Sequence, residues 1–422
     1  MLDKVRNMNK LFHSVKIIEE NCRGCTKCMN RCPMEAVRLK NSKAIVYEDK
    51  CIDCGECIRT CPYSAHVAEK NSIEEIKNYK IKVAVPSVTL YSQFGGYVNP
   101  DIINEAVRNL GFDEVFNTTY ACDISSEVIK REISHMEKPA ISIFCPSIAR
   151  LINVEFPNLA DYTLKVLTPV EIAASLIRDK YRKVGYKYED VGIFYLSSCV
   201  SWITRLKDTS INSKAEVNGT LAISDIYGRL LKDIQGKIDI KGMNPDISYT
   251  GLRWAFPSGI SRCVSPKSYI AVDGVENVKK VFGDIELGRI KDVDFIEAYA
   301  CSGGCLGGVF LVENPYYARN IINHYCDNLS FTYGSEELGD YYREQFAEGI
   351  GNLQPLNHKL ADDFESAVKK MKYMNELINA LPGIDCGQCG SPSCKAFAED
   401  VVRGLAKVSE CKILKRGEID EG

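Results

Sequence analysis

The sequence predicts a modular α/β protein, with a small cysteine-rich module at each end of a large central domain whose strands run mostly parallel. Three observations carry this expectation. Four β-rich apolar runs, at 81–85, 140–144, 191–196 and 294–300, alternate with helical patterns such as 100–109 and 169–181, as in sheets whose parallel strands are joined by crossover helices. A cysteine quartet near the start of the chain is followed by a copy of itself, and a further quartet lies between Cys386 and Cys411.

At 422 residues and 45% hydrophobic content, the chain can bury two or three cores, since single domains run to ~100–200 residues. The expected boundaries are 1–72, 80–345, a helical linker at 346–382, and 383–422. Charges nearly cancel, leaving −3, and no block of like charge stands out. That pattern argues against nucleic acid or a lipid surface as partner. Met1 to Lys16 has scattered charges and no uninterrupted apolar core, and no later stretch approaches the ~20 apolar residues of a membrane span. A cytoplasmic protein is expected. Its 19 cysteines are then read as metal ligands rather than disulfides, because cytosolic thiols are kept reduced. Exposed clusters would further imply an anaerobic setting.

Cys22, Cys25, Cys28 and Cys32-Pro33 recur 29 residues later as Cys51, Cys54, Cys57 and Cys61-Pro62. Each half reads C-x2-C-x2-C-x3-C-P, preceded by a short β-type segment. The repeat resembles a two-cluster bacterial ferredoxin, in which the fourth cysteine of each run ligates the other cluster. One 4Fe-4S cluster is therefore assigned to Cys22, Cys25, Cys28 and Cys61, the other to Cys51, Cys54, Cys57 and Cys32. Gly24 and Gly55 are expected to allow the tight turns that bring amides near the sulfurs. Zinc is the alternative ligand for such spacing.

In the centre, the four apolar runs end in Pro86-Ser87, Cys145, Cys199 and Cys301. Ligands of open α/β sheets bind beyond the carboxyl ends of strands. Cys145, Cys199, Cys301 and Cys305 are thus expected to ligate a third 4Fe-4S cluster. Cys122, Cys263 and Cys326 stand alone and are read as buried thiols, with Cys122 nearest the central site.

These central segments also carry a family resemblance. Phe144-Cys145-Pro146-Ser147, Ser198-Cys199-Val200-Ser201-Trp202 and Phe295 to Cys305 resemble the three signature motifs of the iron-only (FeFe) hydrogenase catalytic domain. The stretch from Val293 to Arg319 is most similar to the sensory-type branch. The resemblance implies an FeFe-hydrogenase-like α/β domain whose four cysteines hold a cubane. It also implies that the thiolate matched by Cys305 bridges to a diiron subsite carrying CO and cyanide, the two parts forming the H-cluster, with Pro86 and Ser87 contacting that subsite.

Three positions depart from the family. Phe144 replaces a proton-relaying cysteine or small residue, Trp202 a cyanide-binding lysine, and Tyr299 a methionine. Phe144 carries no proton, and Trp202 offers one neutral donor in place of a charge-assisted bond. Three aromatics around one group overpack it. The expectation is a retained cubane with the diiron group absent or remodelled. Glu127 and Glu132 fall in the helical segment matching the family's proton path and are read as solvated carboxylates.

Apolar residues at 364, 368, 371, 374, 377 and 381 predict an amphipathic helix packed on the central domain. Beyond Pro382-Gly383, Cys386, Cys389, Cys394 and Cys411 resemble the small four-cysteine iron-sulfur domain of several membrane-electron-transport and corrinoid proteins, with a helix at 395–406 carrying the chain toward the last ligand. Zinc is again the alternative.

Four 4Fe-4S clusters and no organic-cofactor motif give an electron-transfer or redox-sensing protein, its partner a redox protein or a separate signalling protein. The alternative is a ferredoxin-linked FeFe hydrogenase or hydrogen sensor with a modified H-cluster pocket. A third reading makes the clusters structural staples. No catalytic residue is named by the sequence, nor is an oligomeric state.

Overall fold

The computed structural model describes residues 12–95, 98–208, 216–235, 247–328, 346, 353, 360–361 and 363–414, and the chain divides into two units. One comprises Met1–Ser14 and Glu69–Gln354, the other Val15–Ala68 and Pro355–Gly422. Parts of the expected 346–382 linker lie outside the described residues.

The unit containing the first two cysteine runs has strands β1 (Val15–Ile17), β2 (Val37–Lys40), β3 (Lys43–Val46) and β4 (His66–Ala68). β1 pairs antiparallel with β4, and β2 with β3. Asn41 and Ser42 join β2 to β3 with φ of +49° and +61°, the positive values that a two-residue hairpin turn matched to strand twist requires. Each cysteine run passes into a short helix, Lys27–Arg31 or Glu56–Thr60.

The helix Phe364–Ala380, which the sequence led us to expect against the central domain, belongs to this same unit. Its Leu377, with Leu381 just beyond, lies against Phe397, Ala398 and Val402. The second helix, Cys394–Val402, has its own apolar face. Two neighbouring amphipathic helices bury their stripes most directly on each other.

In the other unit, β5 (Ile81–Pro86), β6 (Glu114–Val115), β8 (Val191–Ser197) and β9 (Gly219–Ala222) form a parallel sheet in the order β6-β5-β8-β9. A second parallel sheet has the order β10-β11-β7, from β7 (Ala140–Ile141), β10 (Tyr269–Asp273) and β11 (Phe295–Tyr299). Every residue of β8 and β11 is buried, which is why these strands read as mainly apolar runs, interrupted in β11 by Glu297, rather than alternating ones. β7 is shorter than its apolar run. It lies at the sheet edge, and after Ser142 donates to the Ile296 carbonyl at 2.9 Å the chain leaves the ladder to enter the helix Pro146–Glu155.

Among the described residues, no helix is long and apolar enough to cross a membrane.

Candidate metal centres

The central quartet is assembled from two sheets rather than one. Cys145 and Cys199 are the N-cap residues of the helices Pro146–Glu155 and Val200–Lys207, and Pro146 supplies the fixed φ suited to a first helical position. The Cys199 helix is held by Arg205, fully buried, which donates to Glu171 Oε1 at 2.7 and 3.2 Å. Ser201 Oγ lies 3.6 Å from Cys199 Sγ and accepts from Ser147 Oγ at 2.8 Å. After β11 the chain turns through Gly303 and Gly304 at φ +84° and +70°, conformations natural to glycine. At Gly308 a Cβ would sit 2.3 Å from the Ser198 carbonyl oxygen, so only glycine lets the Cys301–Cys305 loop close on the Cys199 loop.

Burial pushes the Cys305 thiol well up, and nearby Cys145, Cys199 and Cys301 add to the rise. Burial likewise brings Cys145 up to about 11 and raises Cys199. Four half-buried thiols brought into mutual electrostatic reach do not all ionise readily on their own. Soft cations bound among them offset that repulsion, so the donor set fits an iron-sulfur cubane.

Beside Cys305 lies a cavity of about 60 Å³, whose lining includes Ser87, Cys122, Phe144, Trp202 and Tyr299. Pro86 is not among the described lining residues; it ends β5, and its carbonyl accepts from Thr118 Oγ1 at 2.6 Å. The three aromatics singled out by the sequence do converge here, each nearly buried. Phe144 meets Trp254 edge-on with centroids 5.0 Å apart, and Trp202 meets Tyr195 at 5.5 Å. Tyr299 donates to Glu297 Oε1 at 2.8 Å, while Glu297 Oε2 accepts from Ser261 N at 2.8 Å and Ser261 Oγ at 2.5 Å. Burial pushes the Glu297 carboxyl above its usual range, against these hydrogen bonds, which hold it down.

Sequence reasoning passed over Tyr195, Trp254 and Glu297. A signal for the last existed: residues 297 and 299 share a face of one strand, where alternate side chains meet. Tyr299→Phe should therefore cost about 1.5–3 kcal/mol, the worth of a hydrogen bond to a charged group, read by denaturant unfolding of the cluster-free protein.

Glu127 is half-buried, as is Glu132, and neither is among the described cavity-lining residues. Cys122 is buried and lines the cavity, Cys326 is buried, and Cys263 is half-buried with its thiol donating to the Thr250 carbonyl at 3.2 Å.

In the repeat, burial pushes the Cys28 thiol up to about 11, with Cys22, Cys25 and Cys61 adding to the rise. Cys32, Cys51, Cys54 and Cys57 line one small cavity, and burial brings Cys54 up to about 12 with Cys32 adding. Cys32 of the first run thus lies with Cys51, Cys54 and Cys57 of the second. Amides reach the sulfurs from Ala44 to Cys22, Ala36 to Cys32, Asp53 to Cys51 and Ala65 to Cys61, at 3.2–3.4 Å. Cys386, Cys389, Cys394 and Cys411 line one cavity of about 20 Å³, where the Asp385 carboxylate accepts from Cys394 N at 2.7 Å.

A model of the iron only hydrogenase large subunit, C-terminal domain, matches residues 80–251 and 257–309, more than half of the chain. The chain belongs to this iron-only hydrogenase family. A 4Fe-4S dicluster domain matches residues 14–81, and an Fe-S cluster domain residues 381–413. Among family relatives, the NADP-reducing hydrogenase subunit HndD of Solidesulfovibrio fructosivorans is 23% identical over 48% of this chain, which spans 44% of that protein's length. The periplasmic Fe hydrogenase large subunit of Nitratidesulfovibrio vulgaris is 23% identical over 70% of this chain and 86% of its own. A solved structure of the FeFe-hydrogenase HydA1 from Chlamydomonas reinhardtii, 14% identical, covers 68% of this chain and 95% of that one with a TM-score of 0.49.

Proposed function

We propose that this iron-only hydrogenase family member is an electron-transfer or redox-sensing protein that holds four 4Fe-4S cubanes and lacks a standard diiron subsite. The observation that carries this reading is the wall beside Cys305. Phe144, Trp202 and Tyr299 all line the space there, and three aromatics crowd any group bound beside them. The polar groups do not suit two irons with a shell of diatomic ligands either. No lysine or arginine stands among the described lining residues, the Thr118 hydroxyl is committed to the Pro86 carbonyl, and the Tyr299 hydroxyl to Glu297. These residues do not fit a diiron group carrying anionic ligands, whereas the four cysteine thiols, Cys145 and Cys305 among the lining, fit a cubane.

When bound, each cubane accepts or releases one electron. The protein's part is to hold the sulfurs, donate amides to them, and keep water away from the buried sites. Such a carrier, with its thiols in reduced form, suits the cytosol of a cell kept poor in oxygen, and hands electrons or a redox signal to a separate protein. Ser87, kept at the cavity wall, is the observation that favours the second reading, a hydrogenase or hydrogen sensor with an altered pocket.

Iron analysis with infrared spectroscopy separates the two. Protein produced with the maturation machinery should hold about 16 irons per chain and show no bands from bound CO or cyanide. Such bands, with two further irons, would sink the proposal.

A further inference from the structure

We propose that the C-terminal quartet and the Cys22, Cys25, Cys28 and Cys61 quartet form one electron-exchange pair, joined through Met29 and the turn at Gly387. The inference rests on the reading above that both quartets hold cubanes. Its basis is a close approach between two ligand loops, more than 350 residues apart in sequence and within the same unit.

Met29 follows ligand Cys28 and is 1% exposed. Gly387, between Cys386 and Cys389, has φ +70°, and a Cβ there would come within 2.9 Å of Met29 Cε. One side chain therefore fills the gap between a ligand loop of each site. A backbone link lies alongside: Leu39 N, in β2, donates to the Gly390 carbonyl at 2.8 Å, and a Cβ on Gly390 would sit 2.1 Å from the Leu39 oxygen. Both glycines flank Cys389, so the tail loop is shaped around its neighbour as well as around its own metal.

Charge fixes the register. Arg38 and Asp400, 0% and 1% exposed, form a two-pronged ion pair at 2.5 and 3.1 Å. Asp400 also accepts from Ser391 Oγ at 2.8 Å, two residues from Cys389, while Arg38 donates to the Glu35 carbonyl at 2.5 Å, three residues from Cys32. At the rim Lys50 pairs with Glu399 at 2.6 Å and Arg403 with Asp49 at 3.0 Å. A mobile appendage would have no use for a buried, geometrically exact pair, whereas fixed spacing is what electron exchange between two sites requires. The exchange is balanced within the pair: one electron leaves one cubane, which is oxidised, and reduces the other, with no bond made or broken and no proton moved.

The test is magnetic and does not depend on turnover. In fully reduced, cluster-loaded protein, the EPR signal of the ferredoxin half should relax severalfold faster than in a Cys386→Ser/Cys389→Ser variant. Gly390→Ala, which forces the loops apart, should move relaxation toward the variant's value in the fraction of protein that retains about 16 irons. Equal relaxation with and without the tail quartet, and about four irons fewer in the variant, would overturn the pairing and leave the cubane reading standing. Equal iron contents would overturn the cubane reading itself, and the pairing with it.

Discussion

Asp400→Ala should destabilise the unit holding the ferredoxin repeat and the tail by about 3–5 kcal/mol, the usual penalty for removing one partner of a buried ion pair. Arg38 is then left fully buried, its Nε and Nη2 deprived of the carboxylate they reach at 2.5 and 3.1 Å. Its remaining contacts, the Glu35 and Val37 carbonyls and the Tyr47 ring with its centroid 4.9 Å away, do not replace a charge. Ser391 loses its acceptor at the same time. Hydrogen exchange reads the effect by region. Amides of β2 and of the helix Cys394–Val402 should lose protection together, while those of β5 and β8, in the other unit, keep theirs. A double replacement, Arg38→Met with Asp400→Leu, should recover most of the loss, because an apolar pair of similar volume carries no desolvation penalty. Loss of protection in the tail alone would mean that the ion pair does not join the two modules.

This ion pair also marks where the sequence stopped being readable. Cysteine spacing made the two iron-sulfur domains legible, because ligation geometry is local and leaves a fixed pattern of intervals. The central quartet was legible for another reason: its members stand at the ends of apolar runs, and parallel sheets place strand ends together. Arg38 and Asp400 are 362 positions apart. Asp400 sits in a helix among Glu399, Val401 and Arg403, where a lone carboxylate reads as a solvated face. Nothing within reach along the chain says that it is buried. The helix Phe364–Ala380 shows the same limit. Its period and its stop at Pro382 were plain, but periodicity gives a face and not the surface that receives it. Around Cys305, the identities of Phe144, Trp202 and Tyr299 could be read directly. Their directions could not, because Trp254 and Tyr195, which meet two of them edge-on, come from segments that the motifs do not include.

Those directions yield the second large effect. Trp202→Ala in the cubane-loaded protein, before any maturation, should lower the stability of the central unit by about 3–5 kcal/mol, the range for truncating a core aromatic. The magnitude separates two kinds of pocket. An aromatic that walls a site built for a bulky group borders empty space until that group arrives, so its truncation loses few contacts. One that fills the site is in van der Waals contact all round, and its removal leaves a void that close-packed neighbours collapse into only partly. Trp202 is 6% exposed, packs on Tyr195 and borders only the small space beside Cys305, so a filler's cost is expected of it. Val312→Ala, at a position 53% exposed in the same unit, provides the control and should stay within about 0.5 kcal/mol. A Trp202→Ala cost no larger than the control's would make the aromatics a lining, and would return the space beside Cys305 to a ligand.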